Sequence, residues 1–164
     1  MPGARLAVLC RPEDYSDAKW GQYPLIKLPV VPYETLPELL AAADVVAVPQ
    51  LDTEGAQHQM PMKTYDAMAM AKPIVASTVS DLPTTLDGCA RLVPPRDVNA
   101  LASAIREFLK HPSEARAMGE RARARCMEKY SMARVADTLS EVIRRAQASH
   151  ADHGRPATVQ SKRD

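Results

Sequence analysis

Short apolar runs, each the length of a single strand, alternate along most of the chain with stretches of helical spacing. The runs are Leu6-Ala-Val-Leu-Cys10, Leu25-Ile-Lys-Leu28, Asp44-Val-Val-Ala-Val48, Pro73-Ile-Val-Ala76 and Ala90-Arg-Leu-Val93. Most are nearly continuous in apolar character, the pattern of strands covered on both faces. Between and after them lie helices. Thr35-Leu-Pro-Glu38 has the form of a capping box with proline in the first turn, and it opens onto Leu39-Leu-Ala-Ala-Ala43. Farther on, Val98, Leu101, Ala102, Ile105, Phe108 and Leu109 recur on one helical face. Strand–helix alternation with short connections predicts an α/β fold built on a parallel sheet of about five strands, with helices on both faces. Two more helices follow, one opening at Pro112-Ser113-Glu114 and one capped by Ser131 that carries Met132, Val135, Leu139, Val142 and Ile143. Both should pack on the sheet or on whatever lies beside it. Residues 1–146 are read as the folded region, and residues 147–164, polar and interrupted by Gly and Pro, as a disordered tail.

Composition narrows the partners. The 164 residues have room for one ordinary domain, and 46 % apolar residues suffice for its core. Lys plus Arg is 21 against 20 Asp plus Glu, a net charge of +1, so no global field draws a nucleic acid or an anionic membrane. No apolar run approaches the roughly 18–20 residues that span a bilayer. Arg116, Arg121, Arg123 and Arg125 are read as a solvated helix face laced with ion pairs, since no aromatic platform accompanies them. Cys10, Cys89 and Cys126 are odd in number and scattered, which points to reduced thiols in a cytoplasmic protein rather than a disulfide framework. The four histidines converge on nothing, and no metal is expected.

Chemistry concentrates in residues 45–83: a strand ending at Pro49, a polar loop, a helix, a strand and a second polar loop. In a parallel sheet, ligands bind beyond the carboxyl ends of the strands, so both loops should open on one edge. Glu54 stands early in the first loop, Glu54-Gly-Ala-Gln-His-Gln-Met-Pro61. Pro61 suits the first position of the following helix, whose free amides near Pro61 and Met62 would face an anion. Lys63 and Asp66 are three apart and share a face, so Lys63 could balance phosphate charge and Asp66 accept from ribose hydroxyls. The plainer reading of the two is an exposed ion pair, with Tyr65, Met68 and Ala69 as core.

The order Leu36-Pro-Glu-Leu-Leu-Ala-Ala-Ala-Asp-Val-Val-Ala-Val-Pro49, Glu54, Pro61-Met-Lys-Thr-Tyr-Asp-Ala-Met-Ala69 and Lys72-Pro-Ile-Val-Ala-Ser77 resembles the nucleotide-sugar-binding half of GT-B-fold retaining glycosyltransferases of the group 1 type. The likeness continues through Leu92-Val-Pro-Pro95, Asp97, Ala100-Leu-Ala-Ser-Ala-Ile105, Met118-Gly119 and Tyr130, covering residues 5–145. It implies a Rossmann-like domain that binds a nucleotide-sugar donor and transfers the sugar with retention. The carboxylate matching Asp66 would hold the ribose, Lys63 and the free amides near Pro61–Met62 the phosphates, and Glu54 or His58 would lie near the sugar.

The chain departs from the family's pattern at particular positions. The family's paired glutamates, with seven residues between them, fall on His58 and Asp66, and Ala71 stands where glycine commonly precedes Lys-Pro. The runs at 6–10 and 25–28 match the second and third strands of the donor half. Its first strand, with the Arg and Lys that neutralise the departing diphosphate, has no counterpart, and neither has the acceptor half. The resemblance thus implies a truncated domain, cytoplasmic or peripheral to the inner face of the membrane, with another chain supplying the acceptor domain or the missing strand. The alternatives are a non-catalytic or vestigial nucleotide-binding module and a fragment like a nucleotide-sugar epimerase.

Overall fold

Each of the five apolar runs becomes a strand in the computed structural model, which describes residues 3–11, 13 and 21–153: β1 (Leu6–Leu9), β2 (Leu25–Leu28), β3 (Val46–Val48), β4 (Ile74–Ser77) and β5 (Arg91–Val93). Seven helices accompany them among these residues: α1 (Leu36–Ala42), α2 (Glu54–Gln57), α3 (Lys63–Ala69), α4 (Leu82–Thr85), α5 (Val98–Lys110), α6 (Pro112–Lys129) and α7 (Met132–His153). The fold is α/β and every strand pair is parallel. The expected single sheet is instead two, β1-β2 and β3-β4-β5. Among the described residues β1 bonds only to β2, and β3 only to β4, so each keeps one edge without a ladder partner.

The core is centred on β4, all four of whose residues are buried. Its side chains alternate between two apolar clusters, as the strand period requires. Ile74 and Ala76 meet Val48, Met68, Leu82, Leu86, Ala122 and Cys126, while Val75 meets Val93, Phe108 and Ala115. Continuous apolar character in the sequence therefore reports a strand covered on both faces. β1 has no such cover, and Leu6, Ala7 and Leu9 are exposed.

Helix ends depart from expectation in instructive ways. Thr35 makes no capping bond, because it is already helical (φ −89°, ψ −14°) and belongs to a 3-10 turn, Tyr33–Thr35, that runs into α1. The other end of α1 is closed from a distance: Lys72 Nζ donates to the carbonyls of Ala41 (2.8 Å) and Ala43 (2.9 Å). On α5 the buried face is centred on Leu101, Ile105 and Phe108 with the small Ala100 and Ala104, whereas Val98 is 74 % exposed and Leu109 also reaches solvent. Asp97 caps this helix, accepting the Ala100 amide at 2.8 Å.

The arginine face of α6 carries a structural role in place of the expected ion pairs. Arg125 donates to the carbonyls of Thr85 (2.8 Å) and Thr84 (2.7 Å), Arg121 to Gly88 (3.3 Å) and Arg123 to Ala69. The carbonyls of Ala69, Thr84 and Thr85 lie at the ends of α3 and α4, where backbone acceptors lack partners within the helix, and that of Gly88 lies in the turn after α4. Gly119 lets α6 approach the turn after α3, since a Cβ there would stand 2.0 Å from the Ala71 carbonyl oxygen.

Ser131 receives the Arg134 amide at 3.5 Å at the start of α7. The helix runs to His153, past the boundary expected at residue 146, and the remainder of the expected tail lies outside the described residues. The apolar stripe of α7 is not packed on a sheet. Met132, Val135, Leu139, Val142 and Ile143 are all exposed.

Candidate functional site

The loop after β3 is more ordered than its polar sequence suggests. Gln50 Nε2 donates to the carbonyls of Ala56 (3.2 Å) and Gln59 (3.4 Å), tying the loop back to the strand end. Thr53 caps α2 by accepting the Ala56 amide at 3.3 Å, and Gln57 donates to Asp52. Glu54 is the first residue of that single turn and His58 follows its last, and both side chains are exposed. The structure thus places Glu54 and His58 on one short element.

The helix that follows begins at Lys63 rather than at Pro61. Met62 is its N-cap, with helical angles, and the carbonyls of Pro61 and Met62 already accept the amides of Thr64, Tyr65 and Asp66. Pro61 is half-buried, and Met62 and Lys63 are exposed. On the inner side of α3, Thr64, Ala67 and Met68 are buried, while Tyr65 and Ala69 pack against the same cluster as expected. Tyr65 meets Tyr130 with ring centroids 5.1 Å apart, tilted by 60°.

Asp66, half-buried on α3, does not pair with Lys63. Its Oδ1 accepts the hydroxyl of Tyr33 at 2.8 Å. That hydrogen bond and the carboxylate charge raise the Tyr33 phenol above its ordinary value of 10.0. The bond spans 33 residues and joins the connection after β2 to α3. Tyr33 is the residue that sequence reasoning missed. Its signal was positional, in the connection leaving a parallel strand's carboxyl end, where ligands bind in such sheets. Lys63 is exposed one turn before Asp66, and Asp66 with Tyr33 presents oxygen atoms that can accept further hydrogen bonds. Among the described residues, no group of three or more His, Cys, Asp or Glu is placed to hold a metal ion.

The fold is that of the C-terminal half of a GT-B glycosyltransferase. A family model described as glycosyl transferase-like matches residues 1–141, and the chain belongs to that family. The MMP alpha-(1->4)-mannosyltransferase of Mycolicibacterium hassiacum is 39 % identical over 116 residues, which are 69 % of this chain and 27 % of that protein. The alpha-maltose-1-phosphate synthase of Mycolicibacterium smegmatis is 30 % identical over 127 residues, 73 % of this chain and 32 % of its own. The chain therefore spans about a third or less of the length of these relatives. Among solved structures, sucrose-phosphate synthase from Thermosynechococcus elongatus superposes with a TM-score of 0.73 at 25 % identity, covering 88 % of this chain and 38 % of that one. Anabaena HepE in complex with UDP-glucose gives 0.71 at 18 % identity, covering 87 % and 41 %. No helix among the described residues is long and apolar enough to cross a membrane.

Proposed function

We propose that the chain is the donor-binding domain of a nucleotide-sugar glycosyltransferase that retains the donor's configuration, with Asp66 holding the nucleotide ribose. The observation that carries this reading is the Asp66 carboxylate, held on α3, bonded to the Tyr33 hydroxyl and, among the described residues, in no ion pair. It falls where the family carries its ribose carboxylate. In this reading Lys63 and the free amides near Pro61–Met62 would meet the diphosphate, and Glu54 or His58 the sugar. UDP and UDP-glucose in Anabaena HepE support a nucleotide-sugar ligand for this fold. Three free thiols fit a reducing cytoplasm.

Titration with UDP, GDP and ADP tests the site by calorimetry and melting. One of them is expected to raise the melting temperature, by an amount that grows with its concentration, and Asp66→Ala should remove most of that shift. No shift at millimolar ligand, or an equal shift in Asp66→Ala, overturns the assignment. A binding module without transfer activity is the second reading, favoured by His58 standing where the family has glutamate. Release of sugar from a nucleotide-sugar donor by this chain would exclude it.

A further inference from the structure

We infer that Tyr33 completes ribose recognition: its hydroxyl oxygen and the second carboxylate oxygen of Asp66 together read the 2′,3′-diol of a nucleoside diphosphate. The inference rests on the ribose assignment above and extends it to a residue outside the family's carboxylate motif. Three observations carry it. Asp66 stands where the family has glutamate, so its carboxylate falls short by one carbon–carbon bond, about 1.5 Å. One of its oxygens, Oδ1, is engaged by the Tyr33 hydroxyl at 2.8 Å. A phenol that donates its proton keeps acceptor lone pairs, so the pair presents acceptors on two residues, spread over a hydrogen bond's length. The Tyr33 oxygen thereby supplies a second acceptor beside the carboxylate of shorter reach.

Both partners stand on supported backbone. Tyr33 opens the 3-10 turn that enters α1, after Pro32, and Lys72 fixes the far end of α1 through two carbonyls. Asp66 rides on α3, anchored by buried Thr64, Ala67 and Met68. Tyr33 itself is 69 % exposed, so its hydroxyl bond contributes little to folding and remains open to a ligand.

The test measures affinity for UDP and GDP against their 2′-deoxy counterparts in the full chain, as Tyr33→Phe, Asp66→Glu and the double variant. The parent should prefer at least one ribonucleotide about tenfold over its deoxy form, the size of one hydrogen bond to a charged group. Tyr33→Phe, which keeps the ring, should lose most of that preference while binding the deoxy probe like the parent. Adding Asp66→Glu should restore the preference, because the longer carboxylate spans the diol unaided. A preference unchanged in Tyr33→Phe overturns the inference and leaves the ribose role of Asp66 standing. A loss that Asp66→Glu does not restore assigns Tyr33 a structural role and also overturns it. Failure of the parent to bind any of the probes overturns the functional reading itself.

Discussion

Ala71 holds a φ of 53°, in the left-handed region that disfavours any residue with a Cβ. It closes the turn after α3, where the Lys72 amide bonds back to Ala67 at 2.9 Å, and glycine would meet the same geometry without the clash. Ala71→Gly is expected to stabilise the chain by about 1 kcal/mol, read as a higher denaturant midpoint at unchanged slope. The residue was visible in the sequence as a departure from its family's glycine; the positive φ gives that departure an energetic meaning. Tyr33 was not visible in the same way. Periodicity reports neighbours three or four residues apart, and a hydroxyl bond to Asp66 across 33 residues leaves no trace in spacing.

Elements were legible where burial dictated them and illegible where their ends met the rest of the chain. The apolar runs at β3, β4 and β5 announced themselves because helices cover the sheet. The box at Thr35 misled because a 3-10 turn had already placed that residue in helical geometry. The basic face of α6 misled for a related reason. Charge spacing suggested pairs along the helix, yet Arg121, Arg123 and Arg125 reach across to carbonyls at the ends of neighbouring elements. That packing depends on a close crossing at Gly119. Gly119→Ala should destabilise by about 2 kcal/mol or more, since the intruding Cβ meets backbone that cannot rotate away. Gly55→Ala, whose added Cβ would meet nothing within 4 Å, is the matched control and should cost nothing in the same unfolding assay.

At the scale of the molecule, the sequence disclosed the fold class and the segment that carries the site, through strand–helix order and the resemblance that order supports. Periodicity did not disclose the division of the strands, because each run reads alike whether it lies mid-sheet or at an edge; the resemblance did point to it, since the donor half's first strand, which has no counterpart here, would lie between the runs at 6–10 and 44–48. In β4 all four residues are buried, whereas Leu6, Ala7 and Leu9 of β1 face solvent and, among the described residues, β1 bonds to β2 alone. Two-stranded ribbons hold together weakly on their own. Opening of β1 from β2 therefore need not await unfolding of the core. Native-state hydrogen exchange should show β1 and β2 amides escaping through small fluctuations, at rates nearly independent of added denaturant. Those of β4 should exchange only when the whole domain opens, with the slope of global unfolding. A common slope for all three strands would refute this. The break in the ladder is thus also a boundary between two cooperative units, and a mutation that weakens the ribbon should leave the protection of β4 untouched.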